Sequence, residues 1–207
     1  MSPLLVIGAA GHGRVIADIF RARGEKVDAF LDDDPEMKGR TVDGLEVIGP
    51  SRLLAESPAR VALGIGHSPI RERIARECLE LGCTLVTAIH PSAVVAPNVT
   101  IGAGTVVMAL AVVNVAARLG RGVVVNTGAI VEHECVVGDF AHVSPRATLG
   151  GKCRLAELAQ LGIGATMLPM TSVGPRSVIG GGALVARDIP ADVVATGVPA
   201  RVRRSLL

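Results

Sequence analysis

The chain has no Trp and no Tyr, and aromatic residues make up only 1% of its 207 positions, so any core it builds must be aliphatic. Charge is nearly balanced, at a formal +2. With neither a concentrated basic field nor an aromatic platform for stacking bases, nucleic-acid binding has no support. No apolar run approaches the ~20 residues that a membrane-crossing helix needs. The opening segment MSPLLVIGAAGHG lacks the basic stretch and cleavage site of a secretory leader. These absences predict a soluble, cytoplasmic protein without membrane insertion. Cysteine is sparse, and Cys78, Cys83, Cys135 and Cys153 have neither CxxC spacing nor the density of a disulfide scaffold. Packed thiols in a reducing compartment are expected, in preference to a disulfide or a catalytic thiol.

What the sequence does have is a period. Aliphatic residues or Met recur at strict six-residue intervals from Val95 to Val185. An α-helix repeats its buried face every 3.6 residues and a strand every 2, so this period means short straight segments joined by corners, the pattern of a solenoid. Four positions after each aliphatic residue the side chain is small, as at Ala111, Ala129, Cys135, Ala147 and Cys153. The residue just after it is often Gly or Asn, as at Gly102, Asn114, Gly120, Asn126, Gly138 and Gly150. Those types tolerate positive φ, which puts the expected turns at these positions.

Ahead of the repeat the pattern changes. Leu4 to Ile7 reads as a strand, Gly8, Gly11 and Gly13 as a glycine turn, and Arg14 to Arg23 as a helix with Val15, Ile16, Ile19 and Phe20 on one face. Further strands are expected over Val27–Leu31, Arg60–Ile65 and Thr84–Ile89, with a helix over Pro69–Leu81. Such alternation implies a small parallel α/β sheet of Rossmann-like type over residues 1–88, followed by the solenoid over 89–207. The aperiodic tail after Val185 is expected to cap the solenoid.

Two candidate sites follow. In GAAGHG the glycines mark a strand-to-helix turn, where backbone N–H groups and the helix dipole hold phosphate. The spacing is G-x-x-G-x-G, however, and a tight structural turn would use the same residues. Asp32 and Asp33 end the second strand and Gly66 ends the third on the same edge, which suits a mononucleotide handle better than a dinucleotide. A solvated acidic turn is the plainer alternative. The second candidate is NTGAIVEHECVVGDFAHVSPRATLGG, residues 126–151, where His133 lies between Glu132 and Glu134, and Gly151 follows 18 residues later. A His beside a carboxylate suits a general base, and glycine in its column leaves room for a ligand. A lone surface His is the alternative.

This segment, together with GAAGHG, FLDDD and GVPA (Gly197–Ala200), resembles the hexapeptide-repeat acyltransferases, and among them the bacterial nucleotide-sugar N-acetyltransferases of the bacillosamine pathway and the related sialic-acid O-acetyltransferases. The resemblance implies a left-handed parallel β-helix with three hexads per coil, so that residues 18 apart stack about 4.8 Å from each other. It implies a homotrimer, with acetyl-CoA and a nucleotide sugar as co-substrates and no metal. It further implies roles: His133 as general base and Glu134 as its support; His142, Gly151, Ile163 and Gly181 against acetyl-CoA; Gly11, His12, Gly13, Asp32, Asp33, Gly66 and Asn126 against the sugar nucleotide. The uncharged stretch Val107–Val113 fits a buried subunit interface or, equally, a face covering a core. Three rivals stay open: O-acetylation of a sialic-acid-like sugar, a zinc site, which needs three converging histidines, and a non-catalytic sugar-nucleotide-binding scaffold.

Overall fold

The computed structural model describes residues 2–207. The first part is a six-stranded sheet made of β1 (Leu4–Ile7), β2 (Ala29–Leu31), β3 (Thr41–Val42), β4 (Leu45–Gly49), β5 (Arg60–Leu63) and β6 (Thr84–Leu85), in the order β3-β4-β2-β1-β5-β6. Two helices accompany it, α1 (Gly11–Ala22) and α2 (Ser68–Glu80). The central strand β1 reads LLVI without alternation because both of its faces are buried, as parallel strands flanked by helices require. In α1, Ile16, Ile19 and Phe20 form the buried stripe.

Two elements differ from the sequence expectation. The hairpin β3–β4 was not anticipated, although Asp43-Gly44, both with positive φ, is a two-residue turn signal between β-formers. The single strand expected over Thr84–Ile89 is two. Thr84–Leu85 closes the first sheet, and Ala88–Ile89 pairs with Val106–Val107 as the first rung of the solenoid. Ile89 is in phase with the hexad period, which therefore begins one repeat earlier than Val95.

From there the chain winds as a left-handed parallel β-helix with three faces. The first face stacks Ala88–Ile89, Val106–Val107, Val124–Val125, His142–Val143, Gln160–Leu161 and Val178–Ile179. The second runs from Val94–Val95 through Ile130–Val131 to Leu184–Val185, and the third from Thr100–Ile101 through Val136–Val137 to Ser172–Val173. The hexad aliphatics and the small column together fill the interior, including Val131, Cys135, Leu149 and Cys153. The Cys135 and Cys153 thiols donate to the Gly150 and Leu168 carbonyls, and all four cysteines are free and buried. The tail adds Val193–Thr196 to the first face, then reverses as Arg201–Ser205, and Val193, Ala195 and Ala200 cover the end of the core.

The corners correct one expectation. Positive φ recurs every sixth residue from Gly104 to Gly182, two positions after the glycines that were expected to supply it, and it includes Leu110, Glu134, Phe140 and Lys152. Gly138 and its equivalents are needed for closeness instead. A Cβ on Gly138 would lie 2.5 Å from the Glu157 backbone nitrogen of the next coil, and one on Gly174 2.5 Å from that of Ala191. Backbone cannot yield as a side-chain tip does, so Gly138→Ala should cost about 1–3 kcal/mol, read as a lower midpoint in thermal or urea unfolding.

The two parts share a core. Outward residues Ala88, Val106 and Val124 of the first face are buried in one cluster with Ile16, Ile19 and Phe20 of α1. Within the uncharged stretch Val107–Val113, Met108 is buried in that shared cluster, while Val107 and Val113 point into the prism. At the seam Arg71 of α2 is fully enclosed. Its guanidinium donates to the carbonyls of Ile65 (3.0 Å) and Gly66 (2.8 Å) on one side and of Gly122 (2.8 Å) and Phe140 (2.7 Å) on the other.

Candidate functional site

His133 sits at the corner between the second and third faces, in the turn joining Ile130–Val131 to Val136–Val137. Glu134 takes the recurring positive φ, 58°, of that corner, and its carboxylate Oε2 lies 3.1 Å from His133 Nδ1. An ionised carboxylate only accepts, so the neutral imidazole carries its hydrogen on Nδ1 and presents Nε2 as a base. Lys152 Nζ is 3.7 Å from the same Glu134 oxygen, and the Glu132 carboxylate receives the His133 backbone N–H and Asn114 Nδ2. Gly151 lies in the same column as His133, with the imidazole directly above it. A Cβ there would meet Nε2 at 2.5 Å. Only glycine leaves the ring this position.

The glycine turn and the strand ends form a second group. Gly11 opens α1 and has open space where a side chain would be, whereas Gly13 is buried, with its Cα against Gly8 and Gly64. The absence of a Cβ at Gly13 therefore lets the helix pack closely onto the loop. Asp32 Oδ2 accepts from the Ala9 N–H (2.8 Å), which ties the glycine turn to β2; Asp33 Oδ1 accepts from both the N–H and the hydroxyl of Ser51. Across the crevice, Gly66 O receives Arg71 Nη1 and His142 Nδ1 (3.2 Å), while His142 Nε2 pairs with Asn126 Nδ2 at 3.0 Å. That network assigns the hydrogen of His142 to Nδ1. The His12 ring lies 6.3 Å from that of His142, and its Nε2 is buried without a protein partner.

Burial, reinforced by the nearby Arg71 charge, lowers both His12 and His142 to about 4, so both stay neutral at physiological pH. In the unfolded chain they would titrate near 6.5. Between those values the unfolded state binds more protons, so their contribution to stability is complete above about pH 6.5 and lost as pH falls toward 4. Urea unfolding at pH 7, 6 and 5 should show falling stability, and His12→Gln should flatten part of that slope.

The site residues do not all meet within one chain. His133, Glu134 and Gly151 share one edge of the prism, while Gly11, His12, Gly66, Asn126 and His142 gather over the first face, which is the face opposite that edge. Ile163 and Gly181 stack on the edge between the first and second faces, with the Gly182 N–H on Ile163 O at 2.8 Å. The reason is arithmetic: residues 133 and 151 differ by one full coil, whereas 151 and 163 differ by two hexads and so turn onto another edge. Among the described residues no group of three or more His, Cys, Asp or Glu is placed to hold a metal. No described helix is long and apolar enough to cross a membrane. Arg71 went unrecognised in the sequence, yet a signal existed, because it shares the i, i+3, i+4, i+7 stripe of α2 with Ile74, Ala75 and Cys78.

The family signature of the PglD N-terminal domain matches residues 3–78. The UDP-N-acetylbacillosamine N-acetyltransferase of Bacillus subtilis (strain 168) is 37% identical over 118 residues, spanning 53% of this chain and 52% of that protein. The match therefore covers only about half the length of this curated relative. Among solved structures, the acetyltransferase domain of PglB from Neisseria gonorrhoeae FA1090 superposes with a TM-score of 0.92 at 38% identity, over 98% of this chain and 100% of that one. PerB from Caulobacter crescentus, in complex with CoA and GDP-perosamine, gives 0.93 at 36% identity over 99% and 98%. The chain belongs to this family of hexapeptide-repeat nucleotide-sugar N-acetyltransferases.

Proposed function

We propose that the protein is a cytoplasmic enzyme that transfers the acetyl group of acetyl-CoA to the amine of a nucleotide-linked amino-deoxy sugar. The observation that carries this reading is the His133–Glu134 pair at 3.1 Å with Nε2 free above Gly151. The sugar nitrogen attacks the thioester carbonyl, the new C–N bond forms, and His133 Nε2 takes the proton the amine loses. Collapse of the tetrahedral intermediate breaks the C–S bond, and the proton passes to the departing CoA thiolate. Glu134 holds the ring in the required tautomer and stabilises the imidazolium. No acyl-enzyme forms.

His133 and the sugar-nucleotide crevice occupy opposite sides of one prism, which supports a homotrimer in which the base of one subunit faces the His142, Asn126 and Gly66 of its neighbour. Two neutral histidines in that crevice can hydrogen-bond a sugar without repelling its amine, and Ile163 and Gly181 line the edge along which CoA would run. PerB is known with CoA and GDP-perosamine, and the Bacillus subtilis relative is named for a UDP sugar, so the nucleobase is the variable to test. Acetyl-CoA should be offered with UDP- and GDP-linked 4-amino sugars and with hydroxyl acceptors, and product followed by mass. Acetylation of hydroxyl acceptors alone would turn the reading to O-acetylation. Gly151→Ala, which must displace the imidazole, should lower kcat about tenfold or more with little change in KM for the sugar.

A further inference from the structure

We propose that the trough on the third face beside Glu134 is a phosphate-binding subsite for one of the two substrates. The idea rests on the acetyltransferase reading and says where the anionic part of a substrate is held. Asn98, Thr100, Arg118, Glu134, Lys152 and Arg154 contribute to a cavity of 490 Å³ on this wall. Arg118 and Arg154 are outward residues of the rungs on either side of Val136–Val137. Two rung spacings put them about 10 Å apart.

Two other exposed arginines of the solenoid are paired, Arg121 with Asp139 and Arg176 with Asp192. Arg118 and Arg154 have no carboxylate partner among the described residues, and the one carboxylate in the trough, Glu134, is engaged by His133 and Lys152. Two permanently charged planar forks on one wall match the oxygens of a phosphate or diphosphate. The glycine turn offers amides and a helix N-terminus, and three of its basic neighbours are already committed. His12 is held neutral, Arg14 is committed to Asp43 at 2.8 Å, and Arg71 is enclosed by carbonyls. Both proposed substrates carry several phosphates, and Glu134 of the trough bonds His133. Holding a substrate's unreactive end there would fix the approach of its reacting end.

The test uses the full chain and the double variant Arg118→Ala/Arg154→Ala, whose sites are exposed and leave the core intact. Calorimetric titration with inorganic pyrophosphate, CoA, 3′-dephospho-CoA, UDP and GDP reads the trough directly. The double variant should bind pyrophosphate and one class of substrate about tenfold more weakly, and Arg118→Lys/Arg154→Lys should recover part of the loss. A loss for CoA but not its 3′-dephospho form assigns the trough to the 3′-phosphate. Equal losses for both assign it to the CoA diphosphate, and a loss confined to UDP or GDP assigns it to the sugar nucleotide. Dissociation constants all within about twofold of wild type, or no binding of any probe by the wild type, overturn the proposal. Acetyl transfer by the wild type is scored separately. Turnover with unchanged constants in the variant removes the subsite and keeps the enzyme; lost pyrophosphate binding without any turnover in the wild type does the reverse.

Discussion

His133→Ala is expected to lower kcat for acetyl transfer by about 10²- to 10⁴-fold, the usual contribution of a positioned general base, while leaving the fold and the affinity for CoA nearly unchanged. The side chain is half exposed on a corner and makes no core contact, so its removal opens no cavity. Its one polar side-chain partner is Glu134, on Nδ1, while Nε2 lies over Gly151. The measurement is a steady-state assay paired with a thermal melt. A variant that keeps full turnover would remove His133 from the chemistry. A variant that fails to fold would mean the corner depends on the imidazole, which its surroundings do not suggest. Glu134→Gln should fall between the two, because an amide can still accept from Nδ1 but offers no charge to the imidazolium.

Arg71→Met is expected to destabilise the protein by about 3–5 kcal/mol, because several buried carbonyls each lose a donor at about 1–3 kcal/mol. The guanidinium is fully enclosed, and burial lowers it to about 10, still well above physiological pH, so it remains a cation. Methionine fills most of the volume but leaves the carbonyls of Gly66, Gly122 and Phe140 short of a donor, each a buried group without its hydrogen bond. For a chain of this length the loss should appear as a drop in melting temperature on the order of 10 °C. Arg71→Lys should recover only part, since three ammonium hydrogens cannot reach every acceptor that the planar fork spans. The same substitution should disturb His142, because both side chains donate to Gly66 O. The His142 imidazole resonances should therefore shift in the Lys variant even where the melt has nearly returned.

The hexad period alone identified the solenoid, since no other regular structure repeats at six. It also brought His133 and Gly151 together, because residues 18 apart must share a column. The small residues at Ala129, Cys135 and Cys153 announced a narrow interior, and they fill it. The reading of Gly138 and its equivalents failed for a specific reason. A glycine can serve positive φ or close approach, and the sequence does not say which; the stacked backbone of the next coil decides. Ala88–Ile89 was assigned to the wrong sheet because a strand apolar on both sides looks alike whether a helix or another strand covers it. Gly13 fits a phosphate-loop pattern, and close packing against Gly8 and Gly64 requires glycine there as well.

By itself the sequence determined the coil, its register and the pairing of a histidine with a carboxylate at one corner, because each is a matter of local spacing along a strictly periodic chain. Only the tertiary structure decided which face of the solenoid carries the first sheet and its two helices. That choice rests on a few outward side chains, Val106 and Val124 meeting Ile16 and Phe20, and on one buried arginine whose partners lie 51 and 69 residues away in the chain. Contacts of that range have no period to betray them, and they exist only once both parts are folded.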